Sequence, residues 1–181
     1  PIKNGTLKPS EVSQGSNKKV WWIYPYCDKT TNCSFVFEWE ASICNRVKQP
    51  QCPYLVGRAI WTGFNDLATV NEKLAKEWHP TLNEPLTPQM VMANAHDKVW
   101  WLCDYGHEWR AAVYSRVHGN NCPVCSGQKI LVGYNDLATL SPELAAEWHP
   151  TKNGELTPFD VTCGSGKKVW WKCDKGHEWQ A

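Results

Sequence analysis

The chain has almost no net charge: nineteen Lys and Arg face eighteen Asp and Glu, a formal +1 over 181 residues. That balance excludes a polybasic coat, so any affinity for nucleic acid has to come from a local patch. No apolar run approaches the ~18 residues of a membrane-spanning helix. The start at Pro1 lacks the basic and apolar regions of a signal peptide. The end at Ala181 falls inside a pattern already completed once upstream, which predicts a piece of a longer protein. Neither a phosphate-cradling Gly-x-x-x-x-Gly-Lys nor a Gly-x-Ser-x-Gly elbow is present, and no enzyme is expected. Against these absences stand 42% hydrophobic residues, twelve Trp and nine Cys. A core can be buried, and global disorder is excluded.

The sequence repeats itself. Phe64-Asn65-Asp66-Leu67-Ala68-Thr69 returns as Tyr134-Asn135-Asp136-Leu137-Ala138-Thr139, and Glu77-Trp78-His79-Pro80-Thr81 returns as Glu147-Trp148-His149-Pro150-Thr151. Val99-Trp100-Trp101 and Gly106-His107-Glu108-Trp109 recur from Val169 and Gly176, every pair at a spacing of 70. An older copy lies upstream. Val20-Trp21-Trp22 and Leu7 match at an offset of 79, whereas Trp39, Ala41, Arg46, Cys52 and Gly57 match at 70. Nine extra residues therefore fall between Trp22 and Trp39. The expected units are residues 1–60, the degenerate first copy with its insertion; 61–130, a complete copy; and 131–181, the front of a third, truncated one.

Within a unit the local signals predict a short helix, a β-hairpin and a final turn. Asn71 and Ser141 suit helix caps leading into Leu74-Ala75-Trp78 and Leu144-Ala145-Trp148. His79-Pro80 and His149-Pro150 end those helices, the imidazoles being expected to bond terminal carbonyls. Lys98–Trp101 and Glu108–Val113 read as two strands. Pieces of this size cannot bury a core unaided.

The complete unit supplies the missing support. It carries Cys103-x3-His107, fourteen intervening residues, then Cys122-Pro-Val-Cys125. Two pairs of soft ligands on tight turns suit a tetrahedral zinc ion closed by protein on all four sides. A Cys122–Cys125 disulfide is the rival reading, disfavoured because His107 recurs together with Cys103. The third unit repeats Cys173 and His177 without a following Cys-Pro-x-Cys, leaving half a site. In the first unit Cys27 is expected to take the place of Cys103, and Cys33 that of His107 across the insertion. Cys52 is retained there, but Leu55 stands where Cys125 does. Either packing holds that unit, or Cys44 completes a remodelled site of four cysteines. Cys163 reads as an uncoordinated, partly buried thiol.

The string Lys-Lys-Val-Trp-Trp-Lys-Cys-Asp-Lys-Gly-His-Glu-Trp at 167–179 resembles a zinc-ribbon family of repeat modules. So do Asn-Asp-Leu-Ala-Thr, Glu-Trp-His-Pro-Thr-Lys-Asn and Cys-Pro-Val-Cys. The resemblance covers nearly the whole chain. It implies small α+β modules of treble-clef type, stabilised by zinc and arrayed in tandem. Zinc is implied at Cys103, His107, Cys122 and Cys125, and at Cys173 and His177 with their partners missing. Members sit in some cases beside nuclease-like domains, and nucleic-acid binding has been suggested for the family.

Twelve Trp beside Lys18, Lys19, Lys98, Lys167 and Lys168 invite a base-stacking reading. Core packing is the stronger reading, because repeated Trp at fixed positions is what small units need to fill their cores. Arg110, Arg116, His118 and Lys129 make the middle unit modestly basic, but Asp97, Asp104 and Glu108 lie among them. Charge therefore favours a non-catalytic scaffold that binds protein in a larger assembly. The second reading is a nucleic-acid-binding array contacting phosphates through Lys18, Lys19, Lys167 and Lys168. Zinc thiolates point to a reducing compartment: cytosol, nucleus or an organelle interior.

Overall fold

The computed structural model describes residues 2–29 and 32–181. Two compact units divide the chain, one running up to Ala75 and including Leu86–Asn94, the other made of Lys76–Pro85 and Ala95–Ala181.

In the first unit, β1 (Lys19–Cys27) pairs antiparallel with β2 (Ser34–Ser42), Trp22 lying opposite Trp39 and Tyr24 opposite Phe37. The aromatic and β-branched residues of both segments favour this pleated pairing. Helix α1 (Ile43–Lys48) follows without a loop, and its first N–H bonds back to the Lys18 carbonyl at 3.2 Å. Further along are α2 (Leu67–Val70) and α3 (Glu72–Lys76).

The repeated Asn-Asp-x-x-Thr string is a folding device. Asp66 caps α2 by accepting from the N–H groups of Gly63 at 2.6 Å and Thr69 at 3.0 Å, and from the Thr69 hydroxyl at 2.8 Å. Asn65 accepts from the Trp61 N–H and donates to the carbonyls of Tyr54 and Ala59. Where one helix was expected there are two turns. Asn71 ends α2 in a non-helical conformation, and its side chain accepts from the Leu74 N–H at 3.1 Å to start α3.

Burial alone would raise the Asp66 carboxyl, but the Thr69 hydroxyl and the Gly63 and Thr69 N–H groups outweigh it and hold the group below its ordinary value. Asp66→Ala should cost about 1–2 kcal/mol in urea denaturation at neutral pH. The folded carboxyl is depressed, so its contribution is full above the unfolded pKa of about 4 and disappears as pH falls through the folded value. Wild type and variant should therefore converge in acid.

In the second unit, β3 (Lys98–Leu102) and β4 (Glu108–Ala112) form a shorter hairpin with Trp101 opposite Trp109. The expected second strand stops one residue early. At Val113 helix α4 (Val113–Val117) takes over, tied down by the Val113 N–H to the Asp97 carbonyl and the Tyr114 N–H to the Ala95 carbonyl. Next come α5 (Leu137–Leu140), capped by Asp136, and α6 (Pro142–Ala146). The last hairpin is β5 (Trp170–Lys172) with β6 (Glu178–Gln180), Trp171 opposite Trp179. Ser141 precedes α6 without a side-chain cap, its hydroxyl lying 3.6 Å from the sulfur of Cys163, which is exposed rather than partly buried.

The Glu-Trp-His segments run along the free edges of the hairpins. The Leu102 N–H donates to the Glu77 carbonyl at 2.7 Å and the His79 N–H to the Trp100 carbonyl at 3.1 Å, and Glu147 and His149 do the same beside β5. His79 caps in the opposite sense to that expected. Its Nδ1 accepts from the N–H groups of Thr81 and Leu82, and its Nε2 lies 3.1 Å from Glu108. The following turn offers donors, not carbonyls, to the ring. Asn83 bonds both backbone groups of Trp100, and Asn153 bonds those of Trp170. Between these ties Trp101 is fully buried, its indole N–H donating to the Ala111 carbonyl at 3.0 Å.

Arg116 is a core residue and adds nothing to a basic surface. Its guanidinium lies 5.2 Å from the Trp101 ring and 5.0 Å from that of Trp109, and it pairs with Glu77. One Nη also donates to the Asn120 carbonyl at 2.6 Å. A buried charge is tolerated only with partners of this kind. Glu77 thus serves as a structural counter-ion.

Candidate metal centre

Two tight backbone turns present four soft donors to one point. At the tip of the β3–β4 hairpin the Cys103 N–H bonds the His107 carbonyl at 3.1 Å, and the Gly106 N–H bonds the Cys103 carbonyl at 2.9 Å. Gly106 has φ +81°, a conformation that disfavours any side chain. Beyond α4, the Ser126 N–H returns to the Cys122 carbonyl and the Gly127 N–H to that of Val124, both at 3.0 Å. The two turns bring Cys103, His107, Cys122 and Cys125 together, with all four donor atoms within 4.8 Å of one another.

The donor atoms have the dimensions of a zinc tetrahedron. Zn–S bonds of about 2.3 Å and a Zn–N bond of about 2.0 Å require S···S edges of about 3.8 Å and S···N edges of about 3.5 Å. The Cys103 and Cys125 sulfurs are 3.8 Å apart. His107 Nδ1 lies 3.4 Å from Cys103, 3.3 Å from Cys125 and 3.7 Å from Cys122. The electrostatics agree. Burial and the neighbouring Cys122 and Cys103 sulfurs push the Cys125 thiol up to about 12. Burial also opposes ionisation of Cys103, but the His107 and Tyr105 N–H groups, with the other thiols, outweigh it and lower that group. Three crowded sulfurs cannot all be thiolates without a cation. A zinc ion held by these four residues supplies that charge and cross-links the two turns, leaving no open coordination position.

Two neighbours escaped the sequence reading. The Tyr134 ring stands edge-on to His107, with centroids 4.4 Å apart. Asn135 donates to the carbonyls of Val124 and Lys129 at 2.8 and 2.9 Å, bracing the turn that carries Cys122 and Cys125. The available signal was their recurrence at 70 positions, as Phe64 and Asn65.

The remaining candidates are not gathered. Cys173 and His177 repeat the first turn, the Cys173 N–H bonding the His177 carbonyl at 3.0 Å, but they collect no third donor among the described residues. Cys27, Cys33 and Cys52 likewise form no donor group with any third ligand there. The Cys44 thiol donates instead to the Asn17 side chain at 3.1 Å. The placement of Cys27 and Cys33 as ligand equivalents is corrected by the register. The ligand positions two residues beyond the paired Trp are Tyr24 and Phe37, and the nine extra residues lengthen the hairpin past them. Cys27, paired with Ser34, sits three rungs further out, about 10 Å along the strand at ~3.4 Å per residue.

Fold and site together define a small zinc-binding α+β protein whose ligands come from a hairpin tip and a turn after a short helix. The family model described as a probable treble clef zinc finger domain matches residues 1–54, 74–128 and 144–181, and the chain belongs to that family. Among curated proteins there is no match.

Proposed function

We propose that the chain is a non-catalytic array of treble-clef modules, spanning residues 1–60, 61–130 and 131–181, that binds protein within a larger assembly. Three family matches and three hairpins with a common Trp–Trp register support the tandem reading. So does Asn135, at the start of the third module, which braces the Cys122–Cys125 turn of the one before.

The observation that carries the choice of partner is the state of Lys3, Lys152 and Arg116 beside the tryptophans. Lys3 covers Trp21 at 4.2 Å and is paired with Glu38; Lys152 covers Trp170 at 4.5 Å and is paired with Glu178. Arg116 is buried against Glu77. Rings already capped by a cation, and cations already neutralised by a carboxylate, are poor equipment for stacking bases and contacting phosphates. No helix among the described residues is long and apolar enough to cross a membrane. Zinc thiolates accord with a reducing compartment such as the cytosol, the nucleus or an organelle interior.

The alternative, phosphate contact through the exposed Lys18, Lys19, Lys167 and Lys168, is tested by titrating single- and double-stranded DNA and RNA across a salt series. Weak binding that barely changes with salt is expected, and changing the four lysines to Glu should leave it unaltered. Affinity of about micromolar or better near 0.15 M salt, steeply salt-dependent and abolished by those changes, would establish nucleic acid as the partner instead.

A further inference from the structure

We infer that the first hairpin takes up no zinc, an aromatic plug having replaced the ion at the point where the metal sits in the second. The inference rests on the zinc reading of Cys103, His107, Cys122 and Cys125. Its basis is the shared register. Trp22 faces Trp39 as Trp101 faces Trp109, so Tyr24 and Phe37 occupy the places of Cys103 and His107. The offset of 70 puts Cys52 and Leu55 in the places of Cys122 and Cys125. Three of the four ligands are thus exchanged for a phenol, a benzyl ring and an alkyl chain. Only the Cys52 sulfur remains at an equivalent place, and one thiolate does not make a zinc site.

What fills the space is specific. Phe37 is fully buried, and its ring is surrounded by those of Phe35, Tyr54, Trp61 and Phe64, at centroid distances of 5.8, 5.3, 5.3 and 5.0 Å. Phe64 meets Phe37 at an interplanar angle of 62°, and Tyr134, its counterpart, meets His107 at 77°. The same edge-to-face contact is therefore kept while the ligand beneath it changes from imidazole to benzene. The extended strands add Tyr26 and Phe35 to the cluster, both within 6.2 Å of Phe37. The insertion thus contributes two rings to the plug rather than two ligands to a metal. Cys52, almost entirely buried, behaves as a small apolar side chain within this packing.

The test is cobalt substitution of the full chain, read by the d–d absorbance of tetrahedral cobalt and by metal analysis after desalting. Cys52→Ala, Cys27→Ala and Cys33→Ala should each leave the absorbance and the metal content as in wild type. Any contribution from Cys173 and His177 is common to all three and cancels. Loss of about one metal equivalent in any of these variants would overturn the inference. Cys122→Ser is the parallel arm and should lose about one metal equivalent together with its share of the tetrahedral signal. Should it retain full signal, the zinc reading of the second hairpin fails, a result distinct from failure of the plug.

Discussion

Replacing Cys122 by serine, or stripping zinc with a strong chelator, should unfold the region from β3 through the Cys122–Cys125 turn while the first hairpin stays folded. In zinc-finger peptides the metal contributes about 10–16 kcal/mol of apparent free energy, comparable with the whole stability of an ordinary domain at about 5–15 kcal/mol. Without the ion, the β3–β4 hairpin is only five residues long on each strand. Its three sulfurs would also be crowded together, with the Cys125 thiol pushed up to about 12 by burial and its two neighbours. Hydrogen exchange is the measurement that separates the regions. Peptides covering 98–127 should lose protection on chelation, those covering 19–42 should not, and restored zinc should return the protection. Uniform loss across both, or none in either, would contradict the assignment of the ion to this one site.

The difference between the hairpins explains what could and could not be read from the residues alone. Cys103, His107, Cys122 and Cys125 stand out because a tetrahedral metal demands a narrow class of donors on short spacers, a constraint visible without coordinates. Hairpin register is not visible in that way. Alternation in Tyr24–Cys27 is compatible with a tip at any of several places, and only the pairing of Tyr24 with Phe37 shows that the strands continue past the ligand positions. Cys27, the cysteine nearest in type, therefore reads as a ligand, although the ligand-equivalent place in the hairpin belongs to an aromatic residue. Glu77 shows a second kind of limit. An acidic residue near a helix end reads as a surface cap, because nothing local announces that Arg116, 39 residues later, is buried against it. The Asn-Asp-x-x-Thr string was plain as a repeat, yet its function as a brace depends on carbonyls at Tyr54 and Val124, brought close only by the fold.

Phe37→Ala should destabilise the first hairpin by about 3–5 kcal/mol, the range for removing a large aromatic from a well-packed core. The effect should be the same with and without zinc. Phe37 contributes through burial and through ring contacts that each add about 0.5–1.5 kcal/mol beyond area. Truncation to alanine leaves the rings of Phe35, Tyr54, Trp61 and Phe64 around a void that short strands and turns can only partly close. Phe37→Leu keeps most of the volume and should cost markedly less. The comparison with Phe37→His is the most informative. The substitution installs the second hairpin's ligand type but places a polar ring among four aromatic side chains, with Cys52 the single thiol at an equivalent ligand position. It should be nearly as damaging as alanine, and added zinc should not rescue it. Urea denaturation followed by hydrogen exchange in peptides 19–42 measures all three variants. A zinc-dependent recovery of Phe37→His would mean that the plug and the metal site are separated by one residue rather than by three.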